Sequence, residues 1–334
     1  MEGLGFPLQQ EAVLQTLTED VVKSSDIEGE TLDVSQVRSS IARRLGIDRG
    51  GVEPADRQVE GVVEMMLDAT GNYALPLTAD RLFGWHASLF PAGRSGMRKA
   101  QVGGWRDDST GPMQVVSGPV GGERVHFEAP AADRLDREMK VFLDWFNGEP
   151  AADDLDDVLK AGLAHLWFVT IHPFDDGNGR IARAIADMTL ARSEHSPQRF
   201  YSMSAQIRQE RNDYYDILER SQKGTLDVTS WMGWFLGCLG RAIDGADTTL
   251  SAVLRKARFW QANRDVTINE RQRLMLNRLL DGFEGNLTTS KWAAITKSSP
   301  DTALRDILDL VERGILARNP GAGRSTSYSL TGAE

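Results

Sequence analysis

Apolar residues along the chain recur mostly every three or four positions. Leu14, Leu17 and Val21 follow this spacing, as do Val34, Val37, Ile41 and Leu45, and Leu159, Leu163, Leu166, Trp167 and Thr170. A repeat of that period places side chains on one face of a helix and predicts a mainly α protein. The clearest departure is residues 113–128 (MQVVSGPVGGERVHFE), where β-branched residues flank a Gly/Pro turn at 118–122 and predict a β-hairpin that Pro130 ends. A long helical stretch over 228–262 closes the larger region. After it come three shorter helices, at 270–280, 288–295 and 299–313, the last opened by Ser299, Pro300 and Asp301 as cap and first turn and stopped by Gly314. The segment 315–330, with a Gly-rich bend in its middle, predicts a two-stranded wing. The chain thus divides into an N-terminal helical region (1–50), a core (51–262) and a small C-terminal domain (266–334).

Composition narrows the class. A chain of 334 residues with 41% hydrophobic content builds a sizeable core. No stretch approaches the roughly 20 apolar residues of a membrane span, and the first residues lack the basic-then-apolar pattern of a secretory signal, so a cytoplasmic protein without a membrane partner is expected. Cys238, the single cysteine, lies in an apolar helical run and is expected to be a buried thiol. The formal net charge of −10 argues against broad nucleic-acid binding by the whole molecule. Over 270–334, nine Lys and Arg face eight Asp and Glu, a net of +1, which confines any DNA contact to a local surface with Arg305 and Arg324 as its candidates. Protein contact or dimerisation suits that domain equally.

The chemistry concentrates in residues 171–183, I-H-P-F-D-D-G-N-G-R-I-A-R. Pro173 and Gly177 break one helix, and Asn178 is a fitting N-cap for the next, whose Ile181, Ile185 and Met188 form an inward face. A helix N-terminus offers free N–H groups and the positive end of the dipole, and Gly177 and Gly179 leave room for an anion there. Arg180 and Arg183, three apart, suit a polyphosphate. Asp176 beside them suits Mg2+, and His172 is the natural proton acceptor at neutral pH. Phe174 is expected to point into the core. Taken singly, such residues are more often solvated or ion-paired than catalytic; their order and density within a dozen positions point to a site for a polyphosphate.

This segment resembles the signature of the Fic family, H-P-F-x-[D/E]-G-N-G-R-x-x-R, matching every specified position from His172 to Arg183. The resemblance implies a helical core with a β-hairpin flap and transfer of AMP from ATP to Tyr, Thr or Ser hydroxyls of target proteins. It implies that His172 deprotonates the hydroxyl, Asp176 binds Mg2+, Asn178, Gly179 and Arg180 hold phosphates beside Gly177, and Arg183 meets the γ-phosphate. Asn178 separates this chain from the related Doc proteins, which carry Lys there and phosphorylate.

Ser24, Glu28 and Gly29 in S-S-D-I-E-G resemble the family's inhibitory motif [S/T]-x-x-x-E-[G/N]. The likeness implies that Glu28 pairs with Arg183 and blocks the γ-phosphate. Without it, the segment reads as a helix C-terminus capped by Gly29. The hairpin, with Met113, Gln114, Val115, Val116, Val125, His126 and Phe127, corresponds to the family's flap, which holds a target segment by strand pairing; His126 is read as structural. Tyr214 and Tyr215 are candidates for the adenine pocket, of which only one can face inward. His86, His165 and His195 match no motif and are read as core or surface residues. A homodimer is a family expectation. The alternative reading is a DNA-binding regulator that uses the C-terminal domain, with the Fic core as nucleotide sensor.

Overall fold

The computed structural model describes residues 6–47, 55–95, 98–109, 111–118, 122, 124–148, 155–283, 285–320 and 326–331. The expected boundary at 50/51, the central turn residues 119–121 and Arg324 lie outside them. The chain is mainly α. It divides into two compact units, 1–249 and 250–334, with the division inside the longest helix.

In the first unit, α1 (Phe6–Ile27) and α2 (Val34–Arg44) precede α3 (Arg57–Gly71) and α4 (Ala79–Leu89). Two antiparallel strand pairs follow: β1 (Arg94–Ser95) with β2 (Arg98–Lys99), and β3 (Gln114–Ser117) with β4 (Arg124–Glu128). Then come α5 (Leu135–Asn147), α6 (Asp157–Ile171), α7 (Asn178–Ser193), α8 (Met203–Gln209), α9 (Arg211–Lys223) and the part of α10 (Thr229–Ala262) up to Thr249. The helix starts follow local chemistry: Asp33, Asp56, Thr78 and Ser202 each accept a backbone N–H from the first turn of their helix.

The α6–α7 hairpin lies at the centre. Ala161, Gly162, Ala164 and Phe168 on α6, and Ile181, Ala182, Ala184, Ile185 and Met188 on α7, are buried. Small residues let neighbours come close. A Cβ on Gly162 would lie 2.9 Å from the Phe235 ring of α10, and one on Gly61 of α3 would lie 1.7 Å from the Ser88 carbonyl oxygen of α4. Burial of the Leu, Ile, Val and Phe side chains in this core supplies the main stabilisation, about 1.5–3 kcal/mol for each fully buried one. Cys238 is buried and free.

The second unit holds α11 (Glu270–Leu280), α12 (Thr289–Ile295), α13 (Pro300–Glu312) and the antiparallel pair β5 (Leu316–Arg318) and β6 (Tyr328–Leu330). Ser299 caps α13 with Pro300 in its first turn, as its sequence predicts, and Asn269 and Gln272 form a reciprocal capping box on α11. Leu287 bridges to Tyr328. Met275, Leu276, Trp292, Ile307, Leu310 and Ile315 form a separate small core. No helix of the described residues is long and apolar enough to cross a membrane.

Candidate active site

Helix α6 ends on His172, whose backbone is left-handed at φ 52° and whose N–H donates to the Phe168 carbonyl at 3.0 Å. The five residues 173–177 then turn the chain into α7. Gly177, at φ 79°, is the residue that precedes the helix, so it and not Asn178 is the cap. Asn178 instead turns its side chain back: its Oδ1 accepts the Phe174 N–H at 3.0 Å and its Nδ2 donates to the Phe174 carbonyl at 2.8 Å. This closes the loop on itself and turns the Asn178 amide toward Phe174. Phe174 is fully buried, its ring stacked on His86 at 4.2 Å and 6°.

The His172 imidazole is half-buried and lies 3.3 Å through Nδ1 from the Val169 carbonyl. That acceptor assigns the proton to Nδ1 and leaves Nε2 with a lone pair. Burial pushes the imidazole down to about 4, against the Val169 carbonyl and the nearby acids, so it is neutral at pH 7. Asp176 is exposed; its Oδ1 accepts the Gly177 N–H at 2.6 Å and its Oδ2 meets the Ser95 hydroxyl. The Gln101 N–H donates to Asp175 at 2.9 Å and ties the other acidic residue of the loop to the segment after β2.

Both motif arginines point into the protein. The Arg183 side chain is 2% exposed and donates to Glu28 Oε1 at 2.8 Å, to Ser24 Oγ at 3.0 Å and to the Ser24 carbonyl at 2.8 Å. Burial alone would lower its pKa, but the Glu28 carboxylate raises it. A Cβ on Gly179 would lie 2.3 Å from Glu28 Oε1. The internal carboxylate therefore stands over the first turn of α7, where an anion gains most from the helix N-terminus. Gly29 has φ 84° and follows the end of α1 at Ile27, so the expected helix-end geometry is present together with the ion pair.

The remaining candidates are spread around this centre. In the hairpin, Val115 opposes Phe127 and Val116 opposes Val125, so His126 is an extra residue at a bulge. Its Nδ1 lies 2.6 Å from Glu219 of α9 and its Nε2 lies 2.6 Å from Ser117 Oγ, which makes it a tether. Val116 and Val125 are exposed, Met113, Val115 and Phe127 half-buried, and Gln114 donates to Glu128 at 2.8 Å. Tyr214 is not open to a ligand: it is 1% exposed, hydrogen-bonded to His165 at 2.9 Å and packed on Trp231 and Trp234. Tyr215 is the member of the pair on the surface, with its hydroxyl 3.4 Å from the Ile27 carbonyl next to Glu28. His195 is exposed, and so is Arg305 on α13.

Three contributors escape sequence inspection. Glu30 pairs with Arg180, whose side chain is 1% exposed. Arg106 is buried between the flap and the motif loop: its Nε donates to the His172 carbonyl at 2.8 Å, its Nη2 to the Pro130 carbonyl at 2.5 Å, and its N–H to the Pro173 carbonyl at 2.9 Å. Glu219 accepts from Arg124 at 3.0 Å as well as meeting His126. Each sits among other charged residues in the sequence, with no motif or spacing to single it out. Among the described residues no three His, Cys, Asp or Glu side chains gather as a metal cluster.

A model of the Fic/DOC family matches residues 76–190, and one of a domain of unknown function (DUF4172) matches residues 1–47. The chain is 27% identical over 252 residues to a protein named protein adenylyltransferase Fic from Nematostella vectensis, covering 72% of this chain and 51% of that protein. It is 26% identical over 233 residues to one of the same name from Drosophila willistoni, covering 67% and 40%. The chain thus spans about half or less of the length of these curated relatives. The crystal structure of a Fic family protein from Desulfovibrio desulfuricans superposes with a TM-score of 0.52 at 21% identity, covering 100% of this chain and 90% of that one. A Fic domain containing signaling protein from Bacteroides thetaiotaomicron gives 0.55 at 21% identity, covering 75% and 92%. The two structures share the helical fold, the family model covers the segment from before α4 into the last turn of α7, and the motif within it is complete: residues 76–190 are a Fic/DOC family domain.

Proposed function

We propose that this protein transfers AMP from ATP to a hydroxyl of a target protein and that Glu28 holds the activity back. The observation that carries the reading is the Glu28 carboxylate on Arg183 and over Gly179, an internal anion at the helix N-terminus that a nucleotide phosphate would fill. The two relatives named adenylyltransferase support the class of reaction.

In this reading the polyphosphate lies on the first turn of α7, against the backbone of Gly177, Asn178 and Gly179, with Arg180 and Arg183 taking its outer oxygens. The target hydroxyl attacks the α-phosphorus, its oxygen forms the new P–O bond, and the bond to pyrophosphate breaks. The hydroxyl proton passes to Nε2 of His172, which the Nδ1 contact with Val169 leaves free to accept it. The low pKa of the imidazole keeps it unprotonated across the neutral range. Asp176 fits Mg2+ as a single exposed carboxylate beside the phosphates, which is the small protein share that ion takes in nucleotide sites. Bound there, Mg2+ would neutralise phosphate charge. The target segment adds along the flap by main-chain pairing, and Tyr215 is the aromatic residue on the surface for the adenine.

The test compares ATP labelled on the α-phosphate with ATP labelled on the γ-phosphate, each incubated with the Glu28→Gly protein. Covalent label from the α-position alone supports AMP transfer. Label from the γ-position would make the protein a kinase, and label from neither would remove the transferase reading.

A further inference from the structure

The turn that carries Glu28 carries a second carboxylate two residues on. Gly29, at φ 84°, reverses the chain so that residues 28 and 30 both reach the first turn of α7. The Glu30 N–H is anchored to the Ser25 carbonyl at 3.0 Å, and Glu30 Oε2 accepts from Arg180 Nη1 and from Gln58 Nε2 of α3, the latter at 3.1 Å. Arg180 is otherwise sparsely held. Its Nε has no hydrogen-bond partner among the described residues, and its guanidinium rests 5.3 Å over the Phe90 ring.

We propose that Glu30 is a second internal competitor for the nucleotide, acting on Arg180 as Glu28 acts on Arg183. The proposal rests on the reading that phosphates occupy the N-terminus of α7. Removing Glu28 frees Arg183 and the space over Gly179, but it leaves the Arg180 guanidinium engaged by Glu30. A polyphosphate that uses both arginines must therefore displace two carboxylates, and Glu28 accounts for one of them. Because the two glutamates contact different arginines, their effects on anion affinity are separable.

The probe is inorganic tripolyphosphate, whose binding to the full chain is measured calorimetrically at fixed ionic strength. The proteins are Glu28→Gly and the double variant Glu28→Gly/Glu30→Gln. Glutamine keeps the size of residue 30 and a carbonyl for Gln58, and thermal melting checks that both variants remain folded. The expected result is that Glu30→Gln tightens tripolyphosphate binding about five- to tenfold in the Glu28→Gly background, the scale of losing one partly buried charge competitor. Equal or weaker binding by the double variant would overturn the proposal, because Glu30 would then only position Arg180. Absence of tripolyphosphate binding by both variants would remove the phosphate site itself, and with it the function proposed above. AMP transfer plays no part in this readout, so tighter tripolyphosphate binding without any transfer would sustain the role of Glu30 while refuting the transferase reading.

Discussion

Replacing Arg106 by methionine separates two roles of the motif loop, its position and its anion binding. The Arg106 side chain is 1% exposed and joins the His172 carbonyl at 2.8 Å to the Pro130 carbonyl at 2.5 Å, with Asp108 at 3.2 Å. Methionine fills similar space but leaves two carbonyl oxygens without their donor. Each buried unsatisfied group costs about 1–3 kcal/mol. Part of this is offset because a guanidinium no longer has to be desolvated, which leaves a net loss of about 3 kcal/mol. For a unit of this size that is a fall in melting temperature of about 6–12 °C. Arg106→Lys keeps a charge but loses the fork, and should fall between methionine and wild type. The same contacts hold the His172 loop against the base of the flap, whereas the polar partners of Arg180 and Arg183 among the described residues are Glu30, Glu28 and Ser24. In the Glu28→Gly background, Arg106→Met should therefore reduce AMP transfer at saturating ATP by tenfold or more, about 1.4 kcal/mol of transition-state stabilisation, while ATP affinity measured directly stays within about twofold. Thermal melting, calorimetry and α-label incorporation read the three quantities. A methionine variant with unchanged melting temperature and unchanged transfer would refute the assignment of Arg106 as the clamp between loop and flap.

Two further outcomes follow from packing and from protonation. Gly61→Ala places a methyl group 1.7 Å from the Ser88 carbonyl and must push α3 from α4, costing about 1–3 kcal/mol or more, whereas Gly84→Ala meets open space within a helix and should be neutral or stabilising by up to about 1 kcal/mol. Equal melting temperatures for the two would contradict the close approach of the helices. Burial pushes His86 and His172 down to about 4 and His165 to about 3, so between pH 6.5 and 4 the unfolded chain binds more protons than the folded one at all three sites. The stability that these histidines contribute should be complete above pH 6.5 and fall as the solution is acidified. Asp187, which burial raises to about 7 against the pull of Arg199, acts in the opposite sense, leaving a net of about two protons near pH 5 and a slope of about 2.7 kcal/mol per pH unit. Urea denaturation at pH 7, 6 and 5 checks this, and a midpoint that rises on acidification would contradict the buried neutral state of the three histidines.

Local signals carried most of the secondary structure and the centre of the site. Ser299 and Pro300 open α13 because a cap and a proline are local chemistry, and the breaks at Pro173 and Gly177 follow from backbone constraints on those residue types. The pairing of Glu28 with Arg183 was accessible only through the resemblance, since the two residues lie 155 positions apart. Other features depend on tertiary packing that no spacing encodes. Asn178 has the chemistry of a cap, yet its amide closes on Phe174 and Gly177 takes the cap position. Helix α7 shows an apolar stripe in sequence, but alanines and paired polar residues let nearly the whole helix be buried. The two-residue strands β1 and β2 are too short to show an alternating pattern. Tyr214 and Tyr215 are adjacent and chemically alike; which one is core depends on His165, Trp231 and Trp234 arriving from other helices.

The proposed function makes His172 the base for AMP transfer and Glu28 its suppressor. Its most direct test is intact-mass measurement of wild type, Glu28→Gly and Glu28→Gly/His172→Ala after incubation with Mg2+ and ATP, with ATP binding measured in parallel. AMP addition is expected in the Glu28→Gly protein, little or none in wild type, and none in the double variant although it still binds ATP. Equal modification of all three proteins, or AMP addition that survives the loss of His172, would contradict it.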